Sequence, residues 1–531
     1  MASTRLRRTR LGGRPPVLLT LAAGAVVAAT LVPLFYLAER AMARGVAFVL
    51  DELLQPRTAL LIGRSTLLVL IVTAACVVLG VGFAVLVSRT DMPGRRLLAV
   101  ALTLPIAMPS YLVAFLWVSL FPGISGLWGA ALVLTLVSYP LVFLTALAAL
   151  SGTDPAQEEV ARSLGHNGWS VLFRVTLQQA RPAITAGALL VALYVLSDFG
   201  AVAAMRYEAF TWVIYGAYRS GFNPSRAAVL SLLLLGFAVA LVAGERAARG
   251  RVAARVGSGT QRPVPVLQLG RYGAVAVAAA GAVLAAAIVV PLFELARWLT
   301  AAGLRWDAAQ WWEALGATVW FSSAAAVVST VAALPLGVLA ARYRTRGVRL
   351  LESASYISHG LPGIVVAIAM VSLGVVLLTP IYLRTPLLIL AYAVLLIPLA
   401  VGSVRAAIES SPVRFDEVAA SLGRSPLAAF ATVTARNAAP GIAAATALVL
   451  LTCMKELPVT LLLHPTGTDT LATRLWTHSS VSDYSAAAPY AAALVVFAAI
   501  PTAALGIWTA RTGDVALKPV GVEGVEGVRG D

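Results

Sequence analysis

Charge is scarce in this sequence. Asp, Glu, Lys and Arg make up 12% of its 531 residues, about half the share found in an ordinary soluble domain. Cysteine is nearly missing. Cys76 and Cys453 both fall inside apolar runs, so they read as small packing residues and exclude a disulfide framework or a cysteine metal site. Only two lysines occur, Lys455 after Met454 and Lys518 after Leu517. A phosphate-cradling G-x-x-x-x-G-K-[ST] loop needs a lysine after glycine, so this chain is not expected to hydrolyse ATP itself. The four histidines (His166, His359, His464 and His478) lack metal-ligand spacing. With no nucleophile motif either, a membrane-embedded enzyme has little support.

What fills the sequence is apolar. Hydrophobic residues reach 60% and the mean hydropathy is +0.87. Crossing about 30 Å of hydrocarbon takes about 20 apolar residues in a helix. Blocks of that kind begin near Val17, Leu60, Leu97, Leu127, Ala183, Ala227, Tyr272, Ala317, Ile357, Ile381, Gly441 and Ala487. Open strands are excluded, because lipid cannot satisfy an exposed backbone. The expected fold is all-α and integral to the membrane, with about 12 transmembrane helices. The first block follows "RLRRTRLGGR" but is longer than a signal core and has no clear cleavage site, so it reads as an uncleaved anchor.

The net charge of +16 raises nucleic acid as a partner, and its distribution argues against one. With a cytoplasmic N-terminus and alternating loops, 28 of the 40 Lys and Arg residues fall on the cytoplasmic side and 11 outside, with Lys455 inside a helix. That is the positive-inside bias of a membrane protein. Both termini are expected in the cytoplasm.

The chain is one unit written twice. "EEVARSLG" (158–165) returns as "DEVAASLG" (416–423), an offset of 258 that also pairs Thr176 with Thr434 and Pro182 with Pro440. Upstream the offset is 253, where "SRTDMPGRRLL" (88–98) meets "ARYRTRGVRLL" (341–351). Two copies of six helices keep the same orientation, as parallel repeats. The first half is expected over 1–244 (core 61–244) and the second over 272–510 (core 315–508). A charged cytoplasmic linker at 245–271 would join them, and 511–531 would form a cytoplasmic tail.

Each repeated stretch sits in a cytoplasmic loop (151–182 and 404–440) between the fourth and fifth helices of its half. Glu159, Ala161 and Leu164 read as one short helix, and Gly165 suits a left-handed cap. Beyond it, Trp169, Leu172 and Val175 recur at helical spacing, as do Leu427, Phe430 and Val433 beyond Gly423. Taken alone, such a hairpin is as readily a cap on the bundle as a working part. Its repetition favours a two-fold docking surface for a two-fold partner.

The pattern E-x-A-x-x-x-G with a distal proline resembles the coupling loop of ABC importer membrane subunits, of MetI-like fold. The resemblance implies that Glu159, Ala161 and Gly165, and Glu417, Ala419 and Gly423, dock on a cytoplasmic ATPase dimer and transmit its closure. ATP and magnesium would be bound by that partner, with no cofactor in this chain. The sequence departs from the pattern at Val160 and Val418, and at Gln178 and Arg436, where the family carries a proline.

Asp198 in "VLSDFGAV" and Glu456 in "CMKELPVT" also lie 258 apart, in the outward half of the fifth helix of each copy. Ionisable groups there are costly and usually have a task or a partner. With Lys455 they read either as a carboxylate ring around a cation path or as a structural ion pair, Lys455 with Asp198. The segments 455–476, 197–202 and 210–221 resemble fused permeases of ferric-iron importers. That resemblance implies Fe3+ as cargo, an extracytoplasmic solute-binding protein on outer loops such as 205–226 and 464–486, and the cytoplasmic membrane of a bacterium. Thiamine, polyamine or phosphonate permeases share the layout. An ion-coupled secondary transporter shares the twelve-helix plan, but leaves the paired hairpins unexplained.

Overall fold

A computed structural model describes residues 15–153, 155–221, 223–249, 267–300, 307–343, 345–357 and 362–515. Most of the expected linker (250–266), the last part of the tail (516–531) and His359 lie outside the described residues. Within them the chain is helical, and the only extended pairing is a single bridge between Thr90 and Leu267.

Nine described helices are long and apolar enough to cross a membrane, and a bent pair makes a tenth. The first half contains α1 (Val17–Met42), α2 (Pro56–Arg89), α3 (Ser110–Leu120), α4 (Gly126–Ser151), α5 (Pro155–Ser163), α6 (Gly168–Ser197), α7 (Gly200–Ala204), α8 (Phe210–Arg219) and α9 (Pro224–Arg249). The second repeats them as α10 (Tyr272–Thr300), α11 (Ala308–Arg342), α12 (Gly363–Val376), α13 (Thr385–Glu409), α14 (Val413–Ser421), α15 (Phe430–Met454), α16 (Pro458–Leu463), α17 (Leu471–Ser480) and α18 (Tyr484–Val515). All twelve apolar blocks are therefore helical, but they are not twelve straight spans. The block near Leu97 is Arg95–Ala107 followed by α3, bent by 91°. Its counterpart near Ile357 ends in the short helix α12. Proline explains the first break, since Pro105 and Pro109 flank it and neither can continue a helical ladder.

The bent segment still returns the chain across the bundle. Arg89, at the end of α2, bonds the Leu150 carbonyl at the end of α4 (2.8 Å), so these two helices end at the same face. Both begin at the other face. There Tyr207 donates to the Arg64 carbonyl (2.8 Å) and Gly126 N to the Met205 carbonyl (2.6 Å). The second half repeats the contact that joins the start of its first core helix to the outer segment. Phe210 N donates to Ser65 Oγ at 3.2 Å, and Leu471 N to Thr318 Oγ1 at 2.9 Å.

Small residues let the core helices approach closely, as expected where lipid gives no hydrophobic drive between helices. A Cβ at Gly80 would lie 2.7 Å from Val142 Cβ, and one at Gly337 would lie 2.7 Å from Val404 Cγ1. The outermost helices exchange partners. α1 packs on α11 and α12 of the second half, and α10 packs on α3 of the first. Buried Glu294 on α10 accepts from Ser119 Oγ at 2.9 Å, and Trp298 Nε1 donates to the same hydroxyl at 3.0 Å. Each half is thus wrapped by the first helix of the other.

Candidate functional site

The two hairpins have one design. In the first, α5 stops in a left-handed glycine, Gly165 at φ 87°, and the second stops at Gly423 with φ 80°. The freed carbonyls are taken up as in a Schellman cap. His166 N donates to the Ala161 carbonyl (3.2 Å), and Arg424 N to the Ala419 carbonyl (3.1 Å). After the cap the chain re-enters the bundle through a wide π-helical turn in both copies, Leu172–Thr176 and Phe430–Thr434. Such turns are rare and cluster at functional places.

Helical spacing sorts each hairpin helix into two faces. Positions three apart share a face, so Glu158 and Ala161 are both buried, as is Ala419 three residues after Asp416. The opposite face is open and apolar. Val160 and Leu164 are exposed in the first copy, and Val418 and Leu422, with 75% and 76% for the two leucines. Glu159 and Glu417, the glutamates singled out in the sequence, also lie on the exposed side.

The residues that fasten the hairpins are ones the sequence reading passed over. Arg89 Nη1 stands 3.0 Å from Oε1 of buried Glu158, and Thr176 Oγ1 donates to that oxygen at 2.9 Å. The second arginine arm holds the Leu150 carbonyl and the Thr153 hydroxyl. In the second half Arg342 Nη2 stands 3.1 Å from Asp416 Oδ2, and Thr434 Oγ1 donates to Asp416 Oδ1 at 2.5 Å. Arg342 Nη1 reaches the Ser411 carbonyl at 3.2 Å. A signal was available, since the repeat alignment sets arginine against arginine, acid against acid and threonine against threonine at these three places.

Asp198 and Glu456 lie within about a turn of where the sequence sets them. Asp198 and Glu456 do not sit within the fifth helix but in the break after it, because α6 ends at Ser197 and α15 at Met454. Lys455 likewise caps the end of α15 and is not inside a helix. Each acid caps the short helix that follows. Ala201 N donates to Asp198 Oδ1 at 2.8 Å, and Val459 N to Glu456 Oε1 at 3.3 Å. Each also faces the first residue of α3 or α12 in its own half. Ser110 Oγ donates to Asp198 Oδ2. A Cβ at Gly363, the equivalent residue, would lie 2.5 Å from Glu456 Oε1. A carboxylate placed at two helix N-termini is stabilised by their unpaired N–H groups and dipoles.

Of the two readings of these residues, the ion pair between Lys455 and Asp198 does not form. Lys455 Nζ donates instead to the Ile106 carbonyl at 3.2 Å, in the bend of the other half. Asp198 is 8% exposed with its oxygens engaged, whereas Glu456 is half-buried. Beside Asp198, aromatic rings join the halves: Trp476 of α17 lies 5.2 Å from Phe199 and 5.5 Å from Phe115. At the face opposite the hairpins, a cleft of about 470 Å³ opens between Tyr218, Arg219 and Pro224 of one half and Tyr382, Leu383 and Leu461 of the other. Among the described residues no group of three or more His, Cys, Asp or Glu is arranged to hold a metal ion.

A duplicated helical bundle, bent in the third segment of its first half and bearing two matched hairpins on one face, defines a membrane permease. Residues 76–249 and 333–512 both match the binding-protein-dependent transport system inner membrane component family. The chain belongs to that family and is the permease component of an ABC importer, a multi-pass protein of the cytoplasmic membrane. It is 34% identical over 494 residues to the Fe(3+)-transport system permease protein FbpB 2 of Haemophilus influenzae, covering 92% of this chain and 97% of that relative. Shorter matches include the sulfate transport system permease protein CysW of Escherichia coli, 31% identical over 191 residues, covering 33% of this chain and 65% of the relative. The molybdenum transport system permease protein ModB of Escherichia coli is 33% identical over 140 residues, covering 23% and 60%.

Proposed function

We propose that this permease carries ferric iron into the cytoplasm, driven by a separate ATPase dimer that docks on the two hairpins. The observation that carries the cargo is similarity along nearly the whole chain to a relative named for Fe(3+) transport. CysW and ModB match a third of the chain or less. Chemistry favours the same side. Two carboxylates at the break of the fifth helix suit a cation better than an oxyanion, and a hard trivalent cation prefers oxygen donors, as other hard cations do.

On this reading the hairpin face is cytoplasmic, with both termini on that side. The open faces of α5 and α14, with Glu159, Val160 and Leu164 and with Glu417, Val418 and Leu422, receive the ATPase. Ala161 and Ala419 keep the opposite faces close to the bundle, and Gly165 and Gly423 turn the chain. ATP and magnesium belong to the partner. A solute-binding protein delivers cargo to the opposite face, on outer loops such as 205–226 and 464–486, next to the cleft lined by Tyr218, Arg219, Tyr382 and Leu461. Asp198, Glu456 and Lys455 lie along the path. Glu456, with fewer bonds than Asp198, is the carboxylate that meets the cargo, and Asp198 chiefly holds the break in shape.

Growth of a deletion strain on ferric salts as sole iron source tests the cargo. Loss of growth, restored by this gene, is the expected result. Unaffected growth with lost uptake of thiamine, a polyamine or a phosphonate overturns it.

A further inference from the structure

Four chain segments meet at one carboxylate in each half. Glu158 comes from the buried face of the hairpin helix and Thr176 from the π turn that enters α6. Arg89 is the last residue of α2, and its second arm ends on the Leu150 carbonyl near the C-terminus of α4. Asp416, Thr434 and Arg342 repeat the arrangement with the end of α11 and the Ser411 carbonyl just past α13. Arginine suits the position because its planar fork can hold a carboxylate and a second acceptor at once. A lone charge left here would be costly, so neither partner can leave without the other. Such a pair adds little net stability over apolar packing, yet it fixes position strictly.

We propose that Arg89 and Arg342 are positioning residues that make each hairpin one rigid body with the first and third core helices of its half. A push on α5 then turns α2 and α4 together, and a push on α14 turns α11 and α13. Without the arginine, the hairpin yields beneath the ATPase and its stroke does not reach the path. Wide π turns at Thr176 and Thr434 are where such yielding would occur. The inference rests on the hairpins being the ATPase docking surface.

The test uses the complete importer, permease with ATPase and binding protein, in sealed vesicles. Arg89→Gln with Arg342→Gln is expected to keep the ATPase bound and hydrolysing while uptake per ATP falls by about tenfold or more. Thr176→Val with Thr434→Val, which keeps the ion pairs, should lower the same ratio less. Unchanged uptake per ATP in the arginine variant overturns the proposal, and so does a parallel fall in hydrolysis and uptake. If the arginine variant does not assemble, the threonine variant decides: a normal ratio sinks the idea. Leu164→Asp with Leu422→Asp serves as the control. Retention of the ATPase by that variant would refute the docking reading itself, whatever the arginines do.

Discussion

The two hairpins share a fold and differ in how they are held. In the first, arginine and acid side chains are 4% and 3% exposed, and in the second 6% and 17%. The first acid is the longer glutamate, and its arginine also secures Thr153 and Leu150. The first hairpin is further covered by the end of the linker. Leu267 N donates to the Arg89 carbonyl at 2.8 Å, and Leu269 N to Asp91 Oδ1 at 2.8 Å. The Leu267 side chain closes on Gly168, where a Cβ would stand 2.4 Å from it. The two hairpins are therefore braced unequally. The segment that joins them is used to brace one side.

The largest effect expected is at the docking face. Leu164→Asp with Leu422→Asp sets two carboxylates into an apolar contact and should weaken ATPase binding by about tenfold or more, measured by co-purification. Each single change should cost part of this, and equal losses would show the open faces to be equivalent although the joints beneath them are not. Next come the joints. Arg89→Ala leaves Glu158 buried and unpaired, which should cost about 3–5 kcal/mol of stability. Arg342→Ala should cost less, because water reaches Asp416. Thermal unfolding in detergent reads the difference, and equal shifts would break the comparison.

A third contrast lies between Asp198 and Glu456. Glu456→Gln is expected to lower ferric uptake with little change in unfolding temperature. Asp198→Asn should instead act mainly on stability through its caps, by about 1 kcal/mol. The reverse pattern would exchange their roles. The smallest effect belongs to Leu267→Ala, which should loosen only the first hairpin. Hydrogen exchange over 155–176 should quicken while 413–434 stays as it was, and equal changes in both would remove the linker from the account.

Much of the fold was legible because lipid permits few solutions. Twelve apolar blocks and an even number per copy follow from composition and spacing alone. The hairpin was legible for a local reason, since Gly165 and Gly423 needed a left-handed turn and were preceded by a helical pattern. The breaks were not. "TLPIAMPS" carries prolines at 105 and 109 that mark the bend, yet a block of apolar residues looks continuous when only hydropathy is followed. For the same reason Asp198 and Glu456 were read inside a helix, when each begins a new one. Glu159 and Glu417 stand out through a family pattern, which marks the face proposed to receive the ATPase. Glu158 and Asp416 stand one residue earlier, and only their burial beside an arginine about 70 residues distant in sequence tells what they do.

Transport by the purified chain in sealed vesicles tests the central claim most directly. Ferric uptake should require the ATPase, ATP and a binding protein together, and should stop when any one is withheld. Uptake by this polypeptide alone, on a proton or sodium gradient with no nucleotide present, would contradict it.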